Sequence, residues 1–301
     1  MRLAALFAPA LILAGFALAG SPPDPTETHV VATGPGPCGV AARAGSMWIG
    51  VYGAGKLVKI DDRNGRVEAS VAVGRWACRV AVGPAAAWVT RDRAGELVRV
   101  SRGTGRLQRM AVGAGAFDVL LAAGSVWVTS FETGVVARID ARTMKIQRGY
   151  KDGPNPAGID SCEGSIWVGH GREASWLTSI DPRTHRMRRV EVGATAPAWP
   201  RCVFGELWVT TPQGALHVDA RSGRVLRRLV LGGTPAEAAA GPDGLVWITD
   251  KERSVVYRIH AGSGTIVNTF DAGPGAYALA RAGEAMWITS FAGSDVRRYE
   301  R

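Results

Sequence analysis

The sequence predicts an all-β protein: a seven-bladed β-propeller with four-stranded blades and a ring closed by an N-terminal strand that completes the last blade. Three observations carry this. Trp48, Trp88, Trp127, Trp167, Trp208, Trp247 and Trp287 recur in one context, at successive spacings of 40, 39, 40, 41, 39 and 40 residues. Each interval holds four short apolar or alternating stretches separated by turn residues, and 39 of the 301 residues are glycine. No long 3.6-period segment with caps is present in the mature chain. Four strands per repeat of roughly 40 residues are the mark of a propeller blade.

Each repeat has the same internal order. An apolar stretch such as Gly39-Val40-Ala41-Ala42 or Arg79-Val80-Ala81-Val82 comes first and is the strand along the central channel. The tryptophan strand follows; Met47, Trp48 and Ile49 make it apolar on both faces, as a sheet packed between two neighbours requires. An alternating strand comes third, for example Leu57-Val58-Lys59-Ile60 or Val135 to Ile139. Turns such as Asp61-Asp62-Arg63-Asn64-Gly65 and Asp219-Ala220-Arg221-Ser222-Gly223 supply the positive dihedrals and local hydrogen bonds of a reversal. An arginine-rich outer strand ends the repeat. The last repeat stops after Asp295 to Tyr299, one strand short, and His29 to Gly34 has the character of the missing strand. It is expected to close the ring and to protect edges that would otherwise stay open.

Met1-Arg2, an apolar run from Leu3 broken by Pro9, and Ala17-Leu18-Ala19 read as a secretory signal peptide over residues 1–19. Residues 20–27 are read as an exported spacer and 28–301 as a single propeller domain. The run is too short and too interrupted for a membrane span, so a secreted or periplasmic monomer is expected. Cys38, Cys78, Cys162 and Cys202 suit two disulfides in such a compartment, with three pairings open. The fold narrows them. Cys38 and Cys78 both lie ten residues before their tryptophans, in adjacent blades. At about 6–8 Å from a sevenfold axis, equivalent Cα atoms are about 5–7 Å apart, within disulfide range. Cys162 and Cys202 lie five and six residues before theirs, and opposite parity is what a contact between facing sheets needs. The expected pairs are 38–78 and 162–202.

Residues that vary while the scaffold repeats are where a pocket would be written. At the channel mouth these are Gly39, Arg79, Asp118, Gly158, Trp199, Glu237 and Tyr277, one per blade. Loops after the tryptophan strand add Arg91, Asp92, Arg93, Phe131, Glu132, His170, Asp250 and Lys251. Arg79, Asp118, Trp199, Glu237, Tyr277, Arg91, His170 and Asp250 form the candidate ligand site, suited to a mid-sized polar ligand with an apolar part. Asp118 and Glu237 are three blades apart; a divalent cation held there is the one cofactor considered. Gly34-Pro35-Gly36-Pro37-Cys38-Gly39 matches G-x-G-x-x-G, but a strand follows rather than a helix, which excludes a dinucleotide loop. There is no G-x-S-x-G, H-E-x-x-H or P-loop, and no catalytic or metal-ligating residue is assigned. The formal net charge of +10, mostly from dispersed arginines, is compatible with a polyanion or DNA partner.

The repeats, as in Pro37-Cys38-Gly39-Val40 with Gly45-Ser46-Met47-Trp48-Ile49, and in Gly241-Pro242-Asp243-Gly244-Leu245-Val246-Trp247-Ile248-Thr249-Asp250, resemble those of the streptogramin B (virginiamycin B) lyase family. They are similar too to the broader YVTN (YncE-like) secreted propellers. The lyase resemblance implies metal-dependent elimination that linearises a cyclic depsipeptide, using histidines and a glutamate at the channel mouth. In that family a histidine commonly takes the second place of Pro-His-Gly-Ile; here Cys38 and Ala157 stand there. The resemblance therefore implies the fold and not the catalysis. The YncE-like resemblance implies an exported binding propeller, some relatives of which are associated with DNA or the cell envelope. The leading expectation is an exported, non-catalytic propeller that binds a small-molecule or protein ligand at the channel mouth. The alternatives are a divergent lyase or hydrolase using Asp118, Glu237 or His170, and a polyanion-binding envelope propeller.

Overall fold

The computed structural model describes residues 23–301. The signal-peptide reading of residues 1–19 lies outside the described residues. The chain forms seven four-stranded antiparallel sheets, and in the first six the strands run in sequence order from the channel outward. The seventh sheet has the order Thr26–Ala32, Asp295–Glu300, Ala285–Ser290, Ala276–Ala282, so the N-terminal strand is its outermost member. Val31 pairs with Val296 and Ala32 with Asp295. The closure expected from His29 to Gly34 is formed, and its strand begins at Thr26, within the stretch read as spacer.

Every residue of the tryptophan strands Ser46–Val51 and Ser125–Ser130 is buried, as a strand covered on both faces demands. The apolar core divides into seven clusters, one at each junction between blades. Trp48 packs against Ala87, Val89 and Val98 of the next blade, and Trp287 packs against Met47, Ile49 and Val58 across the closing junction. Each repeat thus spends one large indole on filling the wedge to its successor, so the tryptophan stripe is core, as the spacing implied.

A second device joins the inner strands. Thr90 Oγ1 accepts the Arg79 N–H at 3.1 Å and donates to the Phe117 carbonyl of the next blade at 3.2 Å. Thr129 does the same between Asp118 and Ala157, at 2.9 and 2.6 Å. The corresponding residue is glycine in blades 1 and 4, Gly50 and Gly169, and there the neighbouring strands come closer. A Cβ on Gly39 would lie 2.6 Å from the Cys78 carbonyl oxygen, and one on Gly158 2.7 Å from that of Ala198. Gly158 N–H donates directly to Ala198 O at 2.8 Å, with no hydroxyl between them. These are the two junctions that carry the disulfides. Cys38 pairs with Cys78 and Cys162 with Cys202, with Cα atoms 4.9 and 5.3 Å apart, the pairing the blade geometry predicted.

Candidate functional site

Inner strands carry two channel-facing positions per blade, two residues apart, because strand side chains alternate. The upper position holds Gly39, Arg79, Asp118, Gly158, Trp199 and Glu237, as expected from the spacing. In blade 7 it holds Ala278 and not Tyr277: Leu279 pairs with Ile288 as Val119 pairs with Val128, and Ala278 N–H bonds Thr289 Oγ1 as Asp118 N–H bonds Thr129 Oγ1. Tyr277 is one residue nearer the mouth, the place of Phe117. Counting back from the tryptophan misplaced it by one residue.

The lower position lies opposite the tryptophan, where Asp160 faces Trp167 and Arg201 faces Trp208. Neither was singled out from the sequence, yet Arg201 organises the channel. Its Nη2 donates to Asp118 Oδ2 at 3.1 Å and to Glu237 Oε1 at 3.0 Å, joining two carboxylates three blades apart. Its Nη1 donates to the Ile159 and Pro200 carbonyls at 3.2 and 3.0 Å. Arg79 forms an ion pair with Glu237 and donates from Nη2 to the Tyr277 hydroxyl at 3.2 Å. Asp118 also accepts the N–H groups of Val119 and Ile159, at 2.9 and 3.0 Å. Arg79, Asp118 and Glu237 are all buried. Burial opposes the charge on Arg201, but Glu237 and Asp118 outweigh it and hold the guanidinium protonated. Burial pushes the Asp160 carboxyl up, with Arg201 acting against it. The result is a charged crossbar over a chamber of about 210 Å³ whose lining includes Gly39, Asp160 and Leu279.

Aromatic rings cover the crossbar on the mouth side. The Arg79 guanidinium lies 4.1 Å from the centroid of Trp199 and 4.8 Å from that of Tyr277. Phe117 stacks on Trp199 at 5.1 Å, and Tyr277 meets Phe291 edge-on at 5.9 Å. Tyr52 continues the row, 6.4 Å from Phe291. A cavity of about 270 Å³ opens between Tyr52, Phe117, Tyr277 and Phe291, with Asp92 and Lys251 among its walls and the Cys38–Cys78 bridge beneath. Burial raises the Asp92 carboxyl, with Arg93 acting against it and the charge of Glu132 adding to it. Phe117, Tyr52 and Phe291 were not among the candidate residues; a scan for aromatics at loop positions in several repeats would have found them.

Three of the residues read as ligand contacts are bonded within the scaffold. His170 is fully buried, its Nδ1 bonded to the Pro154 carbonyl at 3.0 Å and its Nε2 3.1 Å from Thr178 Oγ1. Asp250 is also fully buried, and its Oδ1 accepts the N–H groups of Thr234, Glu252 and Arg253 at 3.1, 3.0 and 2.8 Å. Arg91 pairs with Glu96 and donates from Nε to the Arg75 carbonyl at 3.3 Å. Each sits at the end of a tryptophan strand, where pinning the loop is a local need that sequence variation alone does not separate from ligand contact. Among the described residues, no group of three or more His, Cys, Asp or Glu side chains is arranged to hold a metal ion, and no helix is long and apolar enough to cross a membrane.

The fold has many likenesses among solved structures. A streptogramin B lyase structure matches with a TM-score of 0.77 at 16% identity, over 91% of this chain and 98% of that one. A catalytically inactive virginiamycin B lyase from Staphylococcus aureus with quinupristin matches with a TM-score of 0.79 at 15% identity, over 92% and 99%. BamB from Moraxella catarrhalis matches with a TM-score of 0.65 at 15% identity, over 90% and 86%. No family model matches the sequence, and no curated protein does. At these identities the likeness is one of fold: the chain is a seven-bladed propeller with the architecture of the streptogramin B lyase structures.

Proposed function

We propose that this chain is an exported, non-catalytic propeller that binds a small ligand, or a side chain of a protein partner, at the mouth of its channel. The observation that carries the reading is the aromatic cavity set over the charged crossbar. Its rings offer apolar faces, while Asp92 and Lys251 offer hydrogen bonds and charge of both signs. About 270 Å³ suits one ring-bearing group and not an extended chain. The non-catalytic reading is supported by the commitment of the charged groups: Asp118 and Glu237 are bonded to Arg201, and His170 is buried with both ring nitrogens in hydrogen-bond contact with Pro154 and Thr178. Export is supported by the two disulfides, which persist in oxidising compartments, and by the signal-peptide pattern of residues 1–19.

The test is saturation-transfer NMR with two ring-bearing probes, N-acetyl-tryptophanamide and methyl β-glucopyranoside. Saturable transfer to one of them, lost in Phe291→Ala, is the expected result. Transfer to neither, or transfer that survives Phe291→Ala, overturns the site. Chemical conversion of quinupristin by the purified chain, followed by chromatography, would overturn the non-catalytic part.

A further inference from the structure

The turns between third and fourth strands all reverse the chain on the face opposite the channel mouth, because each strand antiparallel to its neighbour returns to the same end. In blades 1 to 5 the last residue of each of these turns is basic and exposed: Arg66, Arg106, Lys145, Arg186 and Arg224. Each turn carries a second basic residue, Arg63, Arg102, Arg142, Arg183 or Arg221. None of the first five charged groups enters an ion pair among the described residues. Blade 6 has His260 to Thr265 at this place, without Lys or Arg, and blade 7 is completed by the N-terminal strand. The basic residues therefore form an arc over five blades. The same turns also hold Asp61, Asp62, Asp140, Asp181 and Asp219, so ten basic residues against five carboxylates leave an excess of five positive charges along the arc, whereas the mouth-face pairs Asp92-Arg93, Arg172-Glu173 and Lys251-Glu252 balance.

Apolar side chains share the basic face. Val67, Ile146 and Ile266 open their outer strands directly after these turns and are 44%, 52% and 42% exposed. Phe204, in the turn between the first and second strands of blade 5, is 51% exposed. From strand spacings near 4.8 Å, the turns lie about 20 Å from the axis and about 17 Å from one another. A flat partner touches all five together. A stiff linear polyanion, with a persistence length of about 50 nm, meets the arc as a tangent and reaches about two turns. We propose that this face docks on an anionic lipid surface, with the basic arc at the headgroups, Phe204 in its turn reaching toward the acyl boundary, and Val67, Ile146 and Ile266 at the rim behind the turns.

Each basic residue near an anionic bilayer contributes about fivefold in partitioning, and turns farther apart than a Debye length of about 8 Å act nearly independently. The experiment is co-sedimentation of the full chain with vesicles of phosphatidylglycerol and phosphatidylcholine (3:7) and with phosphatidylcholine alone. Wild type is expected to prefer the anionic vesicles, and Arg106→Gln/Lys145→Gln/Arg186→Gln to lose on the order of 100-fold of that preference. Lys56→Gln/Arg75→Gln/Lys151→Gln removes the same charge from the other face and is expected to keep it. All three chains share the same N-terminal segment, so its contribution cancels. Equal binding to both vesicle types, equal loss in the two triple variants, or tighter binding to a 30-base-pair duplex DNA than to anionic vesicles would each overturn the proposal.

Discussion

Arg201→Leu tests how much the crossbar contributes to holding the inner strands together. The substitution removes the cation to which Asp118 and Glu237 bond at 3.1 and 3.0 Å, while the two carboxylate side chains are only 5% and 7% exposed. Stranding buried charge in this way costs about 3–5 kcal/mol. Glu237 keeps Arg79 and Asp118 keeps its two backbone donors, so the lower end of that range applies. Unfolding entropy of about 2.1 cal/mol/K per residue gives ~0.6 kcal/mol/K for a domain of roughly 280 residues, so the melting temperature should fall by about 5 °C. The assay is scanning calorimetry at pH 7 with the disulfides intact. Adding Asp118→Asn to Arg201→Leu should recover part of the loss, since one stranded charge is then gone. A fall below about 2 °C for the single variant, or no recovery in the double, would show that water reaches these carboxylates and that the crossbar reasoning is wrong.

Three further outcomes are expected. Each disulfide closes a 40-residue separation, so Cys38→Ala/Cys78→Ala should lower stability by about 4 kcal/mol in urea titrations, and an unchanged midpoint would deny it a stabilising role. Gly158→Ala should cost about 2–3 kcal/mol, because a Cβ there would lie 2.7 Å from the Ala198 carbonyl oxygen, whereas Gly103→Ala, which meets nothing within 4 Å, should cost less than about 1 kcal/mol; equal melting shifts would contradict this. Burial raises the folded-state carboxyl of Asp160 above its ordinary value, so its contribution to stability is fully present below that value and is lost as pH rises through the folded one. The stability difference between wild type and Asp160→Asn should therefore shift against wild type as pH rises above the ordinary aspartate range, and a constant difference across an acid-to-neutral titration would refute it.

Much of this architecture is legible without coordinates, for a reason tied to particular residues. A tryptophan every 39 to 41 positions must serve the same packing role each time, since each blade meets its successor through the same wedge. The missing fourth strand after Tyr299 points to Val30 and Val31, and equal offsets from Trp48 and Trp88 bring Cys38 to Cys78. These inferences use only short-range spacing and rotational symmetry.

The channel did not yield to the same reading. Arg201, Asp160 and the crossbar depend on which side chains reach across the axis, and that is settled by rotamers and by residues as many as 198 positions apart. Tyr277 was misplaced because a count from the tryptophan does not see the strand register, and His170 and Asp250 looked available because a sequence does not show which loop folds back over its own anchor. Repetition determines the ring, since every blade solves one packing problem in one way. What fills the ring is decided only in three dimensions, because seven different strands meet there once and no repeat describes that meeting.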